Sequence, residues 1–182
     1  CSGPFTANNS NLAGDATCGT TKTTTAAVST WLGELANNGG PTNTMLPMPA
    51  SPAIDAGDRA ATSGETDQRG KLRTGNGNVD AGAVEVMWNC LATKDNGATR
   101  YISEDAVAVQ YAADQSAAGG TVKISGACVG TQTRSSRQQL LSVEKTLTLQ
   151  GGWNNTFATL NRDLYPTLLD AANTGRVLYV AD

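Results

Sequence analysis

The sequence predicts an all-β chain. Thin β coils stack into a solenoid, one α-helix caps the stack, and an irregular, turn-rich segment precedes it. Three observations carry this. Short runs rich in Val, Leu, Ile and Thr recur late in the chain: TVKIS (121–125), QLLSV (139–143), TLTLQ (146–150), PTLLD (166–170) and RVLYV (176–180). Thr121, Thr146 and Arg176 open one series and Leu140 and Leu168 a second, at offsets of about 25–30 residues, a period typical of solenoids. Finally, aromatic residues make up only 5% of the chain, so small aliphatic side chains must do the packing.

The elements follow in order. TAAVSTWLGEL (25–35) spaces its apolar residues irregularly and fits one helical turn or an edge strand. The stretch after it carries Gly39-Gly40-Pro41 and then Pro47, Pro49 and Pro52. Proline has no N–H to donate, so an irregular extended segment is expected there. VDAGAVEVMW (79–88) alternates well enough to predict a strand with a glycine kink. YISEDAVAVQYAADQSAAGG (101–120) is the best helix: Ser103 caps it, Glu104 and Asp105 lie at its positive end, and Gly119-Gly120 stops it. A helix placed just before the first coil would cover the open end of the stack.

Composition narrows the functional classes. Net charge is −3 and the 13 basic residues are scattered, which argues against a nucleic-acid surface. No apolar run approaches the length of a membrane span. The absence of His removes Ser/His/Asp and Cys–His catalysis and leaves a zinc site without its usual ligands. No cofactor or metal is expected. Four cysteines permit three pairings; Cys1–Cys18 and Cys90–Cys128 each close a loop within one half of the chain. Disulfides imply an oxidising, extracellular setting. Trp31, Trp88 and Trp153 read as covers for core edges rather than sugar platforms.

AAGGTVKISGACVGTQTR, VEKTLTLQGGW and YPTLLDAANTGRVLYV resemble the opening coils of right-handed parallel β-helix proteins of the pectin-lyase-like type, with ISEDAVAVQYAADQ similar to their capping helix. LANNGGPTNTMLPMPASPAIDAGD, TDQRGKLR and VDAGAVE resemble the C-terminal closing segment of bacterial β-helix surface proteins of the choice-of-anchor group. The resemblance implies two domains. Residues 1–88 would close one β-helix unit and 89–182 would open the next, so the chain would be a junction within a longer secreted bacterial protein.

The charged segment SPAIDAGD…TDQRGKLR…VDAG offers Asp55, Asp58, Asp67 and Asp80 with Arg69 and Arg73. One reading makes Asp55, Asp58 and Asp67 calcium ligands or a hydrolytic carboxylate pair, as in pectin-lyase-like enzymes. DAGDRAATSGE lacks the alternating acidic pattern of an EF-hand loop. The reading preferred here is structural: Asp55 and Asp67 accept from turn N–H groups, and the two arginines tie carboxylates across the loop. The expected function is that of an extracellular surface scaffold, a stalk, filament, sheath or adhesin, and not an enzyme. Its partners would be copies of itself or neighbouring chains at open solenoid ends, and surface polysaccharide. A polysaccharide-degrading enzyme or a carbohydrate-binding module is the alternative.

Overall fold

The computed structural model describes residues 12–13, 22–23, 28–58, 64–73, 77–95 and 97–181. Cys1 and Cys18, with the bond expected between them, lie outside the described residues. The chain divides into two compact units, Cys1–Met87 and Trp88–Asp182. The described elements are mostly β, with one short α-helix.

In the first unit, β1 (Leu12–Ala13) runs parallel to β2 (Lys22–Thr23). A 3₁₀ turn, Val28–Thr30, leads into β3 (Leu32–Ala36), so the 25–35 stretch supplies both a helical turn and a strand. β3 pairs antiparallel with β4 (Thr44–Pro47). The reversal between them is set by side-chain amides: Asn38 Nδ2 donates to the Thr44 carbonyl at 2.7 Å and Asn37 Oδ1 accepts from the Gly39 N–H. The proline-rich stretch is therefore not wholly irregular. Among the described residues of this unit, Trp31, Ala53, Val79, Val84 and Val86 are buried apolar side chains.

The expected strand at 79–88 is absent. Its valines are buried as the pattern requires, but its backbone N–H groups are taken by carboxylates instead of a neighbouring strand: Val86 N–H donates to Asp80 Oδ2 and Glu85 N–H to Asp67 Oδ2. Acidic side chains have replaced the ladder.

The second unit is built on β5 (Cys90–Lys94), β6 (Arg100–Ser103), α1 (Val107–Gln115) and β7 (Thr121–Val129). Then come β8 (Gln132–Arg134), β9 (Arg137–Val143), β10 (Thr148–Gln150), β11 (Leu168–Asp170) and β12 (Arg176–Val180). One sheet runs β10–β7–β5–β6, with β11 also on β7; a second runs β12–β9–β8. Alternation sorts the faces. Cys90, Ala92, Val122 and Ile124 turn to one side and pack with Ala108, Val109, Ala112 and Ala113 of α1. With alanine on that helical face, backbone and sheet come close, which suits a chain poor in aromatics. Leu91, Thr93, Lys123 and Ser125 take the alternate positions and face away.

Gly126 divides β7. Its φ is +83° and a Cβ there would strike the Asn89 carbonyl, so only glycine fits. The half before it pairs with β10 and the half after it with β11. The disulfide Cys90–Cys128 joins the start of β5 to the end of β7. The helix begins later than expected, because Tyr101 and Ile102 are buried in β6 opposite Ala92 and Leu91. Ser103 Oγ still accepts from the Ala108 N–H at 3.0 Å, and Asp105 Oδ1 from the Val107 N–H at 2.9 Å. Gln110, fully inside, acts as a surrogate strand: its Oε1 accepts from the Ser142 N–H at 2.7 Å and its Nε2 donates to the Ser142 carbonyl at 3.1 Å.

The β-helix expectation is overturned. The described sheets are small and mixed, not stacked coils. β5 lies antiparallel to both β6 and β7, and β8 antiparallel to β9. Of the assumed series, only the first step holds, Thr148 pairing in parallel with Thr121. Arg176 pairs with Gln139, not with the Thr148 strand, and Leu168 pairs with Ala127, not with Leu140. A solenoid needs one repeated offset so that every coil covers the last; here each parallel pairing has its own offset. α1 is a core helix packed on a sheet, not a cap on stacked coils. No helix among the described residues is long and apolar enough to cross a membrane.

Candidate functional site

The charged cluster of the first unit grows from one turn. Asp67-Gln68-Arg69-Gly70 has Asp at the first and Gly at the fourth position, a strong turn pattern, and Gly70 N–H donates to the Asp67 carbonyl at 2.9 Å. Asp67 Oδ1 accepts from the backbone N–H of Arg69 (2.8 Å) and Lys71 (3.0 Å). Its Oδ2 accepts from Glu85 N–H (3.0 Å) and from the Arg69 guanidinium through Nε and Nη2, both at 2.9 Å. Arg69 Nη2 also donates to the Glu85 carbonyl at 2.7 Å. The side chains of this pair are 1% and 0% exposed.

Two further carboxylates extend the network. Glu85 Oε2 accepts from Asp80 N–H at 2.9 Å. Asp80 Oδ1 accepts from Asp55 N–H and Oδ2 from Val86 N–H, both at 2.7 Å. Thus segments 51–58, 65–73 and 79–86 are held to one another by side-chain oxygens. Arg73 reaches the carbonyls of Gly82 (2.7 Å) and Asp80 (3.4 Å) and lies 4.0 Å from Glu85 Oε2.

The sequence-derived candidates fall unevenly. Asp67, Arg69, Asp80 and Arg73 meet in this network. Asp55 joins it through its N–H, at φ +58°, which donates to Asp80 Oδ1. Asp58 is exposed. Arg69 grips one oxygen of Asp67 rather than forming a two-oxygen fork, and Arg73 binds carbonyls. Glu85, central to the network, is not among the sequence candidates. Its one signal is a charge between two valines in VEV.

Environment sets the charge states. Burial alone would raise Asp67, but the amides of Glu85, Lys71 and Arg69 and the Arg69 guanidinium outweigh it and hold it below 3.8. Burial pushes Asp80 up to about 6 and Glu85 up to about 7, with their mutual repulsion adding to the shift in Glu85 and Arg73 opposing both. Raised carboxylates can serve as general acids or bases. These two are 3% exposed and spent on backbone N–H groups. A cleft of about 490 Å³ in the same unit has Asn43, Thr44 and Gln68 as its polar lining and no carboxylate.

A pH dependence follows. Asp80 and Glu85 bind protons more tightly when folded, so their contribution is fully present below the unfolded values of 3.8 and 4.5. It is lost as pH rises through about 6 and 7. Asp67 acts oppositely: its contribution is present above 3.8 and lost as pH falls below it. Stability of this unit should therefore peak near about pH 4–5 and fall as pH rises through about 6 and 7 toward pH 8. Urea titrations at several pH values, read at the amides of residues 79–86, measure this; stability flat or rising across that range would contradict it.

Among the described residues no group of three or more His, Cys, Asp or Glu side chains is arranged to hold a metal ion. No protein-family model, curated protein or solved structure matches the chain.

Proposed function

We propose that the chain is a non-enzymatic, extracellular structural module that joins further copies of itself edge to edge. The observation that carries this reading is a set of aliphatic side chains left exposed on β11 and β12: Leu168 52%, Val177 40%, Leu178 45% and Val180 60%. β12 pairs with β9 on one side, and among the described residues no strand occupies its other side. A strand edge that is both apolar and open offers unpaired backbone N–H and C=O groups beside hydrophobic surface, the arrangement that folded monomers normally blunt. A second copy supplies both needs at once, since it brings the same strand with the same side chains.

The Cys90–Cys128 bond supports secretion to an oxidising compartment. The tied carboxylates support a non-catalytic role: buried groups consumed by backbone amides are poorly placed to meet a substrate. An enzyme acting on polysaccharide would be expected to offer carboxylates to an open groove.

Sedimentation velocity over a hundred-fold concentration range tests the reading. Association that grows with concentration is expected, weakened at least tenfold by Val180→Lys and by Leu178→Lys. A monomer at every concentration would overturn it, as would association that both lysine variants leave unchanged.

A further inference from the structure

The second unit carries a cleft of about 510 Å³ on the sheet face opposite α1. Its floor includes Ser125 of β7, and its walls include Trp88, Trp153, Tyr165, Asn154 and Asn155. We propose that this cleft binds a neutral saccharide chain, with the indole and phenol rings as stacking surfaces and the two asparagines as hydrogen-bonding groups. The inference is independent of edge-to-edge assembly, because the cleft lies on neither β11 nor β12.

Three observations argue for that ligand class. First, the lining combines three aromatic rings with amides and a hydroxyl, and contains no Asp, Glu, Lys or Arg. A pyranose presents C–H groups of slight positive charge on its faces and hydroxyls at its rim. Aromatic faces, which are slightly negative, attract the first, and amides bond the second. A polyanion would need cations in the lining, and a wholly apolar ligand would strand the amides.

Second, the rings are held in place. Lys123 Nζ sits 4.2 Å from the centre of the Trp153 ring and Arg100 lies 4.9 Å from that of Trp88, yet neither cation lines the cleft. Each charge therefore braces an indole from outside the site. Trp153 Nε1 also donates to Gln150 Oε1 at 3.2 Å, which fixes the ring's rotation. A preset ring costs little entropy when a ligand binds.

Third, the loop that carries Trp153 is rigid through its own asparagines. Asn154 Oδ1 accepts from Ala158 and Thr159 N–H (3.0 and 3.1 Å), and Asn161 Oδ1 from Asp163 and Leu164 N–H (both 3.0 Å). Asn154 thus spends its oxygen on the loop and keeps its Nδ2 for a ligand. Both indoles remain half-buried, so part of each stays open to solvent. The volume lies within the range of small-ligand sites.

Affinity electrophoresis of the full chain in gels containing xylan, mannan, mixed-linkage β-glucan or polygalacturonate tests the proposal. Retardation by at least one neutral polysaccharide is expected, with polygalacturonate inert. Trp153→Ala should weaken the retardation tenfold or more, and Asn155→Ala, on the exposed rim, should weaken it without touching the core. If Trp153→Ala fails to fold, as judged by circular dichroism, the Asn155 variant and Trp153→Phe carry the test. No retardation by any neutral polysaccharide overturns the proposal. So does a preference for polygalacturonate, or binding that the folded variants do not change.

Discussion

Asp67→Asn should destabilise the first unit by about 3–5 kcal/mol, the cost of leaving a buried partner charge uncompensated. The Asp67 and Arg69 side chains are sealed from solvent, so water cannot replace the lost charge. The damage also extends beyond the pair. Asp67 is the acceptor for the N–H groups of Arg69, Lys71 and Glu85, and an amide nitrogen in place of one oxygen would turn a donor toward donors. Arg69→Met should cost a similar amount. The double variant Asp67→Leu/Arg69→Met should cost clearly less than the two single changes added together, because neither charge is then stranded. Amide hydrogen exchange at Lys71 and Glu85 reads the effect locally. Unchanged protection in Asp67→Asn would show that the network is not what holds segments 65–73 and 79–86 together.

Removing the Cys90–Cys128 bond should have an effect of similar size in the second unit. The two cysteines are 38 residues apart, and closing a loop of that length restricts the unfolded chain by about 4 kcal/mol in the chain-entropy account. For a domain of roughly this size such a loss lowers the melting temperature by about 15 °C or more. Cys90→Ala/Cys128→Ala, followed by calorimetry, measures it. The bond joins strands that already pair through Cys90 and Gly126, so the folded sheet can persist without it. A drop of only a few degrees would mean that the unfolded chain is already compact in this region.

These two sites differ in how readable they are. The disulfide is legible because cysteines are few and Cys90 and Cys128 lie in the same half of the chain. The Asp67 turn is legible because DQRG places Asp and Gly where a reversal needs them. Glu85 and Gln110 are not legible. Each is a polar residue in an apolar context, and its partner, Asp80 N–H in one case and the Ser142 backbone in the other, is fixed only by tertiary structure. The alternation in VDAGAVEV gives burial correctly, since Val79, Val84 and Val86 are inside. It cannot reveal that carboxylates rather than a strand satisfy the backbone.

The late strands teach a related lesson. Their composition identifies them as strands, and TVKIS, QLLSV and RVLYV all form. Their similar spacing suggests a repeat that does not exist. Composition sets which segments extend; pairing depends on Gly126, the disulfide and the antiparallel β5, none of which follows a period. The helix shows the same limit, since Tyr101 and Ile102 fit an amphipathic helix and a buried strand equally well.

Hydrogen–deuterium exchange across β12 tests edge-to-edge assembly most directly. In dilute samples the amides of Arg176–Val180 that point away from β9 should exchange quickly, and on concentration they should become protected while Val180→Lys keeps them fast. Protection that does not depend on concentration, or that appears only at other strands, would contradict assembly through this edge.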